Sequence, residues 1–439
     1  MPKPYARIAD RIAARIATGA LPPGTRLPPQ RMFAYDQGIA VSTASRVYEE
    51  LRRRGLVAGE VGRGTFVTNR FSPLDPALLE PAGTGIDLDI LFRLGTTARE
   101  QIAASTARFL KSGLPQAATA PPSVRGTRAA AEAAARLTSG SGQRVAPENV
   151  LFAGSGKEAI AACLSALAPR GGRVAVEALT YPFVIATARL LGIDLVPLPL
   201  DGEGILPDAL EDQVQSGLAG VYLQPTLQSP LVLTMSPQRR SAIADVLIRH
   251  DLPAIEDRVY GFLRPTSPLA SHAPDHVIQV DSLSKRLMPG LAVGLIIAPP
   301  RYHDALSRSL RAGGWLAPSL AVALAHHWIE EGLVDRVARA KREDAARMYR
   351  IARKALTGLD FTGAPDALHG WIALPSGWRG DSFAAACADI GIAVAPGHVF
   401  AVAPGTAPSG VRIAFSAPEL ETWDYALQTL AGIARRGPA

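Results

Sequence analysis

Apolar residues recur every three or four positions at the start of the chain. In YARIADRIAARIATG, Tyr5, Ile8, Ile12 and Ile16 share one helical face and Arg7, Arg11 and Arg15 another, which predicts an amphipathic helix ending at Gly19. LPPGTRLP breaks the pattern, PQRMFAYDQG predicts a second helix stopped by Gly38, and AVSTASRVYEELRRRG predicts a third with Val41, Val47, Tyr48 and Leu51 facing inward. LVAGEVGRGTFV reads as two short strands about a Gly62-Arg63-Gly64 turn. TNRFSPLDPALLEPAGTG has three prolines and no sustained period, so residues 1–68 form one module and 69–85 a linker.

From about residue 86 the period changes. Short apolar runs (RVAVEA, IDLVPL, GVYLQP, PAIED, HVIQV, AVGLIIA) alternate with the helical patterns GKEAIAACLSAL, YPFVIATARLLG and SPQRRSAIADVLIRH. That alternation predicts an α/β domain over 86–439, a mostly parallel sheet with helices on both faces. Ligands in such sheets gather beyond the carboxyl ends of the strands.

Composition narrows the picture. No apolar run approaches the roughly 18 residues that span a bilayer, and arginines interrupt the N-terminus, so a cytoplasmic protein without membrane contact is expected. Cys163 and Cys387 each lie in an alanine-rich helical pattern, which suits core positions better than a disulfide or a metal site. The net charge of +7 is localised: residues 1–70 carry 12 Lys+Arg against 5 Asp+Glu, and the rest of the chain is balanced. A basic module meeting a polyanion, joined to a neutral body, follows. Ser42, Thr43, Ser45 and Arg46 at the head of the third helix suit a major groove, where short side chains admit the backbone close to base edges.

Four strand ends of the large domain carry chemistry. Gly154, Ser155 and Gly156 precede a helix whose N-terminal amides can receive an anion. Asp257 ends a strand three residues before Tyr260, and is either a cap or ion-pair partner, or a carboxylate for a pyridinium nitrogen. Lys285 in DSLSKRLMPGLAVG, one of only 6 lysines beside 40 arginines, is a surface residue, a structural cation or an amine that forms a Schiff base once burial lowers its pKa. Arg412, inside the apolar run GVRIAFSAP, needs an anion, and a bidentate carboxylate is the natural partner.

Two resemblances bring these residues together. Residues 3–68 resemble the winged helix-turn-helix of the GntR family through PPGTRLPPQRMFA, STASRVYEELRRRGLV and GRGTFV. This implies that Arg26, Arg31, Ser42, Thr43, Ser45, Arg46 and Arg63 face double-stranded DNA, some holding phosphates and some reading bases. Residues from about 86 to 435 resemble the fold-type I aminotransferases that use pyridoxal 5'-phosphate (PLP), through GSGKEAI, VEALTYPF, IEDRVYG, SLSKRLMPGLAVG, VAPGHVFA and GVRIAFSAP. The order of the two parts is that of the MocR subfamily of bacterial regulators, and implies a small α+β subdomain from about 320 to the C-terminus. By this resemblance Lys285 forms the Schiff base, Asp257 pairs with the ring nitrogen, Tyr260 bonds the phenolic oxygen and Tyr181 stacks on the ring. The amides of Ser155, Gly156 and Lys157 cradle the phosphate beside Ser282 and Ser284, Gln228 lines the pocket, and Arg412 clamps an effector carboxylate.

The chain departs from that pattern at several points. Ala292 stands where the family has an arginine on the phosphate, a change expected to weaken PLP binding by about 1.5–3 kcal/mol unless Arg125 or Arg286 substitutes. Leu227 and Val232 replace a histidine and a glycine, and no tyrosine occurs between Tyr48 and Tyr181. The expected protein is a homodimeric transcription regulator that senses PLP, or PLP joined to an amino acid or amine, with no catalytic residue assigned. The alternatives are a working aminotransferase with an appended DNA-binding module, and a regulator that has lost PLP.

Overall fold

The computed structural model of the chain describes residues 4–17, 20–21, 24–53, 56–60, 64–67, 85–90, 94–140, 142–403, 405–416 and 419–437. The chain divides into two compact units, 1–80 with 401–408, and 81–400 with 409–439.

In the first unit helices Pro4–Ala17, Gln30–Asp36 and Val41–Arg53 surround one small core. Ile8, Ile12 and Ile16 are buried as their spacing predicts, against Phe33, Val47, Tyr48 and Leu51. Val41 is a correction: it is 48% exposed, and Ala44 instead opens the buried stripe of its helix, because the core runs out one turn before the helix does. Strands Val57–Glu60 and Gly64–Val67 pair antiparallel. A third strand, Arg26–Leu27, pairs with the second of these in the register Arg26↔Phe66. Two residues inside a proline-rich run have no readable period, so this strand is not legible in the sequence. Tyr48 ties the unit together, donating to the Pro28 carbonyl at 2.5 Å and meeting the Phe33 ring edge-on.

The second unit is built on a seven-stranded sheet in the order Val150–Ala153, Gly294–Ile297, Val277–Ser282, Ala254–Asp257, Leu218–Leu223, Arg173–Glu177 and Asp194–Leu198. The last five run parallel to one another. Gly294–Ile297 is antiparallel to both of its neighbours, so the sheet is mostly parallel with one reversed strand. All four residues of Val150–Ala153 and of Ala254–Asp257 are buried, as helices on both faces require. Helices Gly156–Leu167, Pro182–Leu191 and Pro237–Arg249 coincide with the predicted helical patterns. Cys163 is fully buried in the first of them, and Cys387 is buried in helix Gly380–Ala388.

A second core gathers Leu88, Met348, Leu356, Phe383, Val411, Ile413, Trp423 and Leu430. It packs around an antiparallel sheet ordered Asp360–Gly363, His369–Ala373, Gly410–Ala414 and Ala395–Pro396, with helix Leu420–Arg436. Helix Leu333–Ala355 belongs to both cores: Leu333, Val334 and Val337 join the large one, and Met348 and Ala352 the small one. No described helix is long and apolar enough to cross a membrane.

Candidate functional site

Glu177, Gln224, Asp257 and Ser282 stand at or just beyond the carboxyl ends of neighbouring parallel strands. Strand Val150–Ala153 leads into Gly154 and Ser155, and the Ser155 side chain caps helix Gly156–Leu167 by accepting from the Glu158 amide at 3.1 Å. That cap leaves the first-turn amides at the mouth of the sheet with the positive end of the helix dipole. Two glycines allow the close packing behind it. A Cβ on Gly294 would lie 2.2 Å from the Ser155 carbonyl oxygen, and one on Gly156 would lie 3.0 Å from the Ser282 Cβ. Ser282 caps the single helical turn Leu283–Arg286, accepting from the Ser284 amide at 3.1 Å and donating to the Ser284 hydroxyl at 3.0 Å.

Lys285 sits in that turn. Burial of its amine, reinforced by the charges of Arg412 and Lys157 and opposed by Asp257, brings its pKa down to about 7. The backbone of the turn is held from outside by Lys341, whose ammonium donates to the carbonyls of Lys285 (2.7 Å) and Leu287 (2.9 Å). Lys341 is itself lowered to about 7, first by burial and then by Lys285.

Asp257 is 3% exposed. Its Oδ2 accepts from the Tyr222 hydroxyl at 2.7 Å and from Gln224 Nε2 at 3.3 Å, and its Oδ1 from the Val259 amide at 3.0 Å. Burial still outweighs these bonds and raises its pKa to about 6. Next to it, burial pushes Glu177 up to about 8, although it accepts from the Gln224 amide. Tyr260 is buried with its ring 5.5 Å from that of His369, and Tyr181 is half-buried at the start of helix Pro182–Leu191. Desolvation raises both phenols strongly, so both keep their protons. His369 has the opposite response: burial, then Arg412, lowers it to about 3. Its Nε2 lies 3.2 Å from the Gln228 carbonyl, which can only accept, so the ring proton is on Nε2.

The Gln228 amide is engaged by the protein itself, donating to the Leu179 carbonyl of a neighbouring loop at 2.6 Å and accepting from the Leu231 amide of its own turn at 3.2 Å. Leu227 and Val232, flanking this turn, have positive φ values of 52° and 62°. Arg412 lies in the middle of strand Gly410–Ala414, 6% exposed, with the Phe400 ring 4.9 Å from its guanidinium. It donates to Ser229 Oγ at 3.2 Å and to Asp89.

Both arginines considered as stand-ins at Ala292 have partners of their own. Arg286 is held by Asp281 at 2.5 Å and lies over Phe262, while Arg125 donates to the Glu148 carbonyl and to His303 Nδ1. Lys157, by contrast, is exposed in the first turn of its helix, 5.2 Å above the Phe183 ring, and its charge reaches Lys285.

In the first unit, Arg26, Arg31, Ser42 and Arg46 are exposed, and Thr43 and Ser45 are half-buried. The Ser45 hydroxyl donates to Gln30 Oε1 at 2.7 Å, joining the second and third helices. Arg26 runs along the strand pair: a Cβ on Gly64 would come within 2.8 Å of its Nε. Arg63 lies outside the described residues.

Sequence reasoning missed Tyr222, Gln224, Glu177, Lys341, His369 and Asp89. Tyr222 and Gln224 stand within the quoted run GVYLQP, but only strand register aligns them with Asp257; Tyr222 pairs with Ile255.

Comparison with known proteins agrees with this architecture. Residues 95–430 match the family "Aminotransferase class I and II", and residues 4–67 match "Bacterial regulatory proteins, gntR family". The chain is 29% identical over 442 residues to the uncharacterized HTH-type transcriptional regulator YdeF of Bacillus subtilis (strain 168), covering 97% of this chain and 93% of that protein. It is 26% identical over 389 residues to the probable rhizopine catabolism regulatory protein MocR of Rhizobium meliloti, covering 81% and 76%. Among solved structures, an archaeal alanine:glyoxylate aminotransferase superposes with a TM-score of 0.73 at 22% identity, covering 89% of this chain and 94% of that one. The chain belongs to the class I and II aminotransferase family and, with a gntR-type DNA-binding domain ahead of it, to the MocR subfamily of transcriptional regulators.

Proposed function

We propose that this regulator is a cytoplasmic homodimer that holds PLP on Lys285 and responds to an amino acid or amine that reaches the same pocket. The observation that carries the reading is a desolvated lysine amine, lowered to about 7, at the carboxyl ends of parallel strands beside a buried carboxylate and two protonated tyrosines. The polar groups gathered there support the cofactor reading. The glycine-lined amides of Ser155, Gly156 and Lys157, with Ser282 and Ser284, fit a phosphate. Among the described residues, Arg412 Nε and His369 Nδ1 are buried without a hydrogen-bond partner. PLP bound there supplies a carbonyl that captures amines reversibly.

The chain's own residues divide the remaining work. Asp257, positioned by Tyr222, Gln224 and the Val259 amide, keeps a lone pair for a ring N–H. Tyr260 would donate a hydrogen bond to the phenolic oxygen on the cofactor ring, and Tyr181 would cover a ring face. Lys157 supplies the positive charge that Ala292 cannot. Arg412 receives the carboxylate of the effector, while the exposed polar residues of the first unit engage DNA.

The test is spectroscopic. Full-length protein incubated with PLP should show a visible band that borohydride bleaches, and Lys285→Ala should lack it. A wild-type protein with no such band would sink the cofactor reading and leave the DNA-binding one standing.

A further inference from the structure

Arg412 is the residue read above as the clamp for an effector carboxylate, and the fold already sets a carboxylate against it. Arg412 Nη2 donates to Asp89 Oδ1 at 2.9 Å and to the Asp89 main-chain oxygen at 2.5 Å. The two partners differ in access. The Arg412 side chain is 7% exposed and that of Asp89 is 47% exposed, so the guanidinium is fixed while the carboxylate can leave into water.

The grip is also incomplete. Asp89 meets one nitrogen of a group that can hold a carboxylate with two parallel bonds, and Nε has no partner among the described residues. An incoming carboxylate that takes two nitrogens would out-compete it. The neighbouring chain is built to present Asp89 rather than to bury it. Ile86 and Leu88 donate to the carbonyls of Gly391 and Ala393 at 2.8 and 2.9 Å, the Ala414 amide donates to Leu88 at 2.6 Å, and Leu88 is wholly buried in the small core. Asp87 Oδ1 then accepts from the amides of Asp89 (2.8 Å) and Ile90 (3.1 Å), turning the chain at the point where Asp89 reaches Arg412.

We propose that Asp89 is a resident carboxylate that occupies the effector's place on Arg412 and is displaced when the effector binds. The proposal rests on the reading of Arg412 as the carboxylate clamp. Asp89 lies a few residues beyond the linker, so exchanging it for a ligand carboxylate reports occupancy of the pocket to the stretch of chain that leads back to the DNA-binding domain. It also sets the selectivity: an amine lacking a carboxylate leaves Asp89 in place.

Sodium propionate, a carboxylate with no amine, probes this contact whether or not PLP is bound. Full-length protein titrated calorimetrically at constant ionic strength should bind propionate about threefold to tenfold more tightly as Asp89→Asn and as Asp89→Ala than as wild type. Arg412→Ala should abolish binding in every background. In the wild type, propionate should speed hydrogen exchange at the amides of Asp89 and Ile90. Equal affinity in wild type and both Asp89 variants, or exchange that propionate leaves unchanged, overturns the displacement while leaving Arg412 as a carboxylate site. No propionate binding in any variant overturns the clamp and the displacement together.

Discussion

Val232 occupies a backbone conformation that its side chain resists. At φ 62° a β-branched residue carries strain on the order of 1–2 kcal/mol, and the turn is held there by a Val232 N–H bond to Gln228 O at 2.6 Å and by buried neighbours. A glycine here would have a relaxed backbone; Val232 instead gives an apolar contact. Val232→Ala and Val232→Gly both remove that contact, so their difference isolates the backbone. The glycine variant should be the more stable by about 1 kcal/mol, reversing the usual order of these two residues. Urea unfolding followed by tryptophan fluorescence ranks them, and an alanine variant above the glycine one would refute the strain. The departure at Val232 was legible in the sequence, but its cost was not, because φ is a property of the folded loop. Lys341 was hidden for another reason: among the arginines of its helix it reads as one more solvated charge, and only the turn at Leu283–Arg286 gives it carbonyls to hold.

At the scale of elements, the helices Gly156–Leu167, Pro182–Leu191 and Pro237–Arg249 were legible because burial imposes a period on them, whereas the longest helix, Leu333–Ala355, was not singled out in the sequence. The second strand of the small sheet, His369–Ala373, and the two-residue strands had no such signature and emerge only from pairing. The third helix of the DNA-binding domain shows how far pattern carries. Its inward stripe is Ala44, Val47, Tyr48 and Leu51, and Ser42 and Arg46 point away. Substituting Arg46 removes one positive charge from an exposed surface and nothing from the core. Arg46→Ala should therefore weaken binding to a DNA fragment selected with the full-length protein and reduce the slope of log affinity against log salt by about 1. Fluorescence anisotropy across a salt series measures the slope, and an unchanged slope would show that Arg46 makes no phosphate contact. The visible band with PLP should be unaffected.

Over the whole molecule, the basic excess belongs to the first 70 residues and the apolar bulk to the rest, so the two binding chemistries are separated along the chain. A ligand held only by the folded large unit stabilises it by mass action, about 2.7 kcal/mol at a hundredfold excess over Kd. Thermal melts with PLP should thus show a higher midpoint for that unit. Lys285→Ala should forfeit most of the rise, and an equal rise in both proteins would place PLP elsewhere. Helix Leu333–Ala355 constrains any motion that follows. It is about 35 Å long at 1.5 Å per residue, its first turns are packed in the large core and its last in the small one, and Lys341 fastens its middle to the backbone of Lys285. A rod seated at both ends works as a lever: the small core can turn about it or carry it, and carrying it drags the lysine's main chain along.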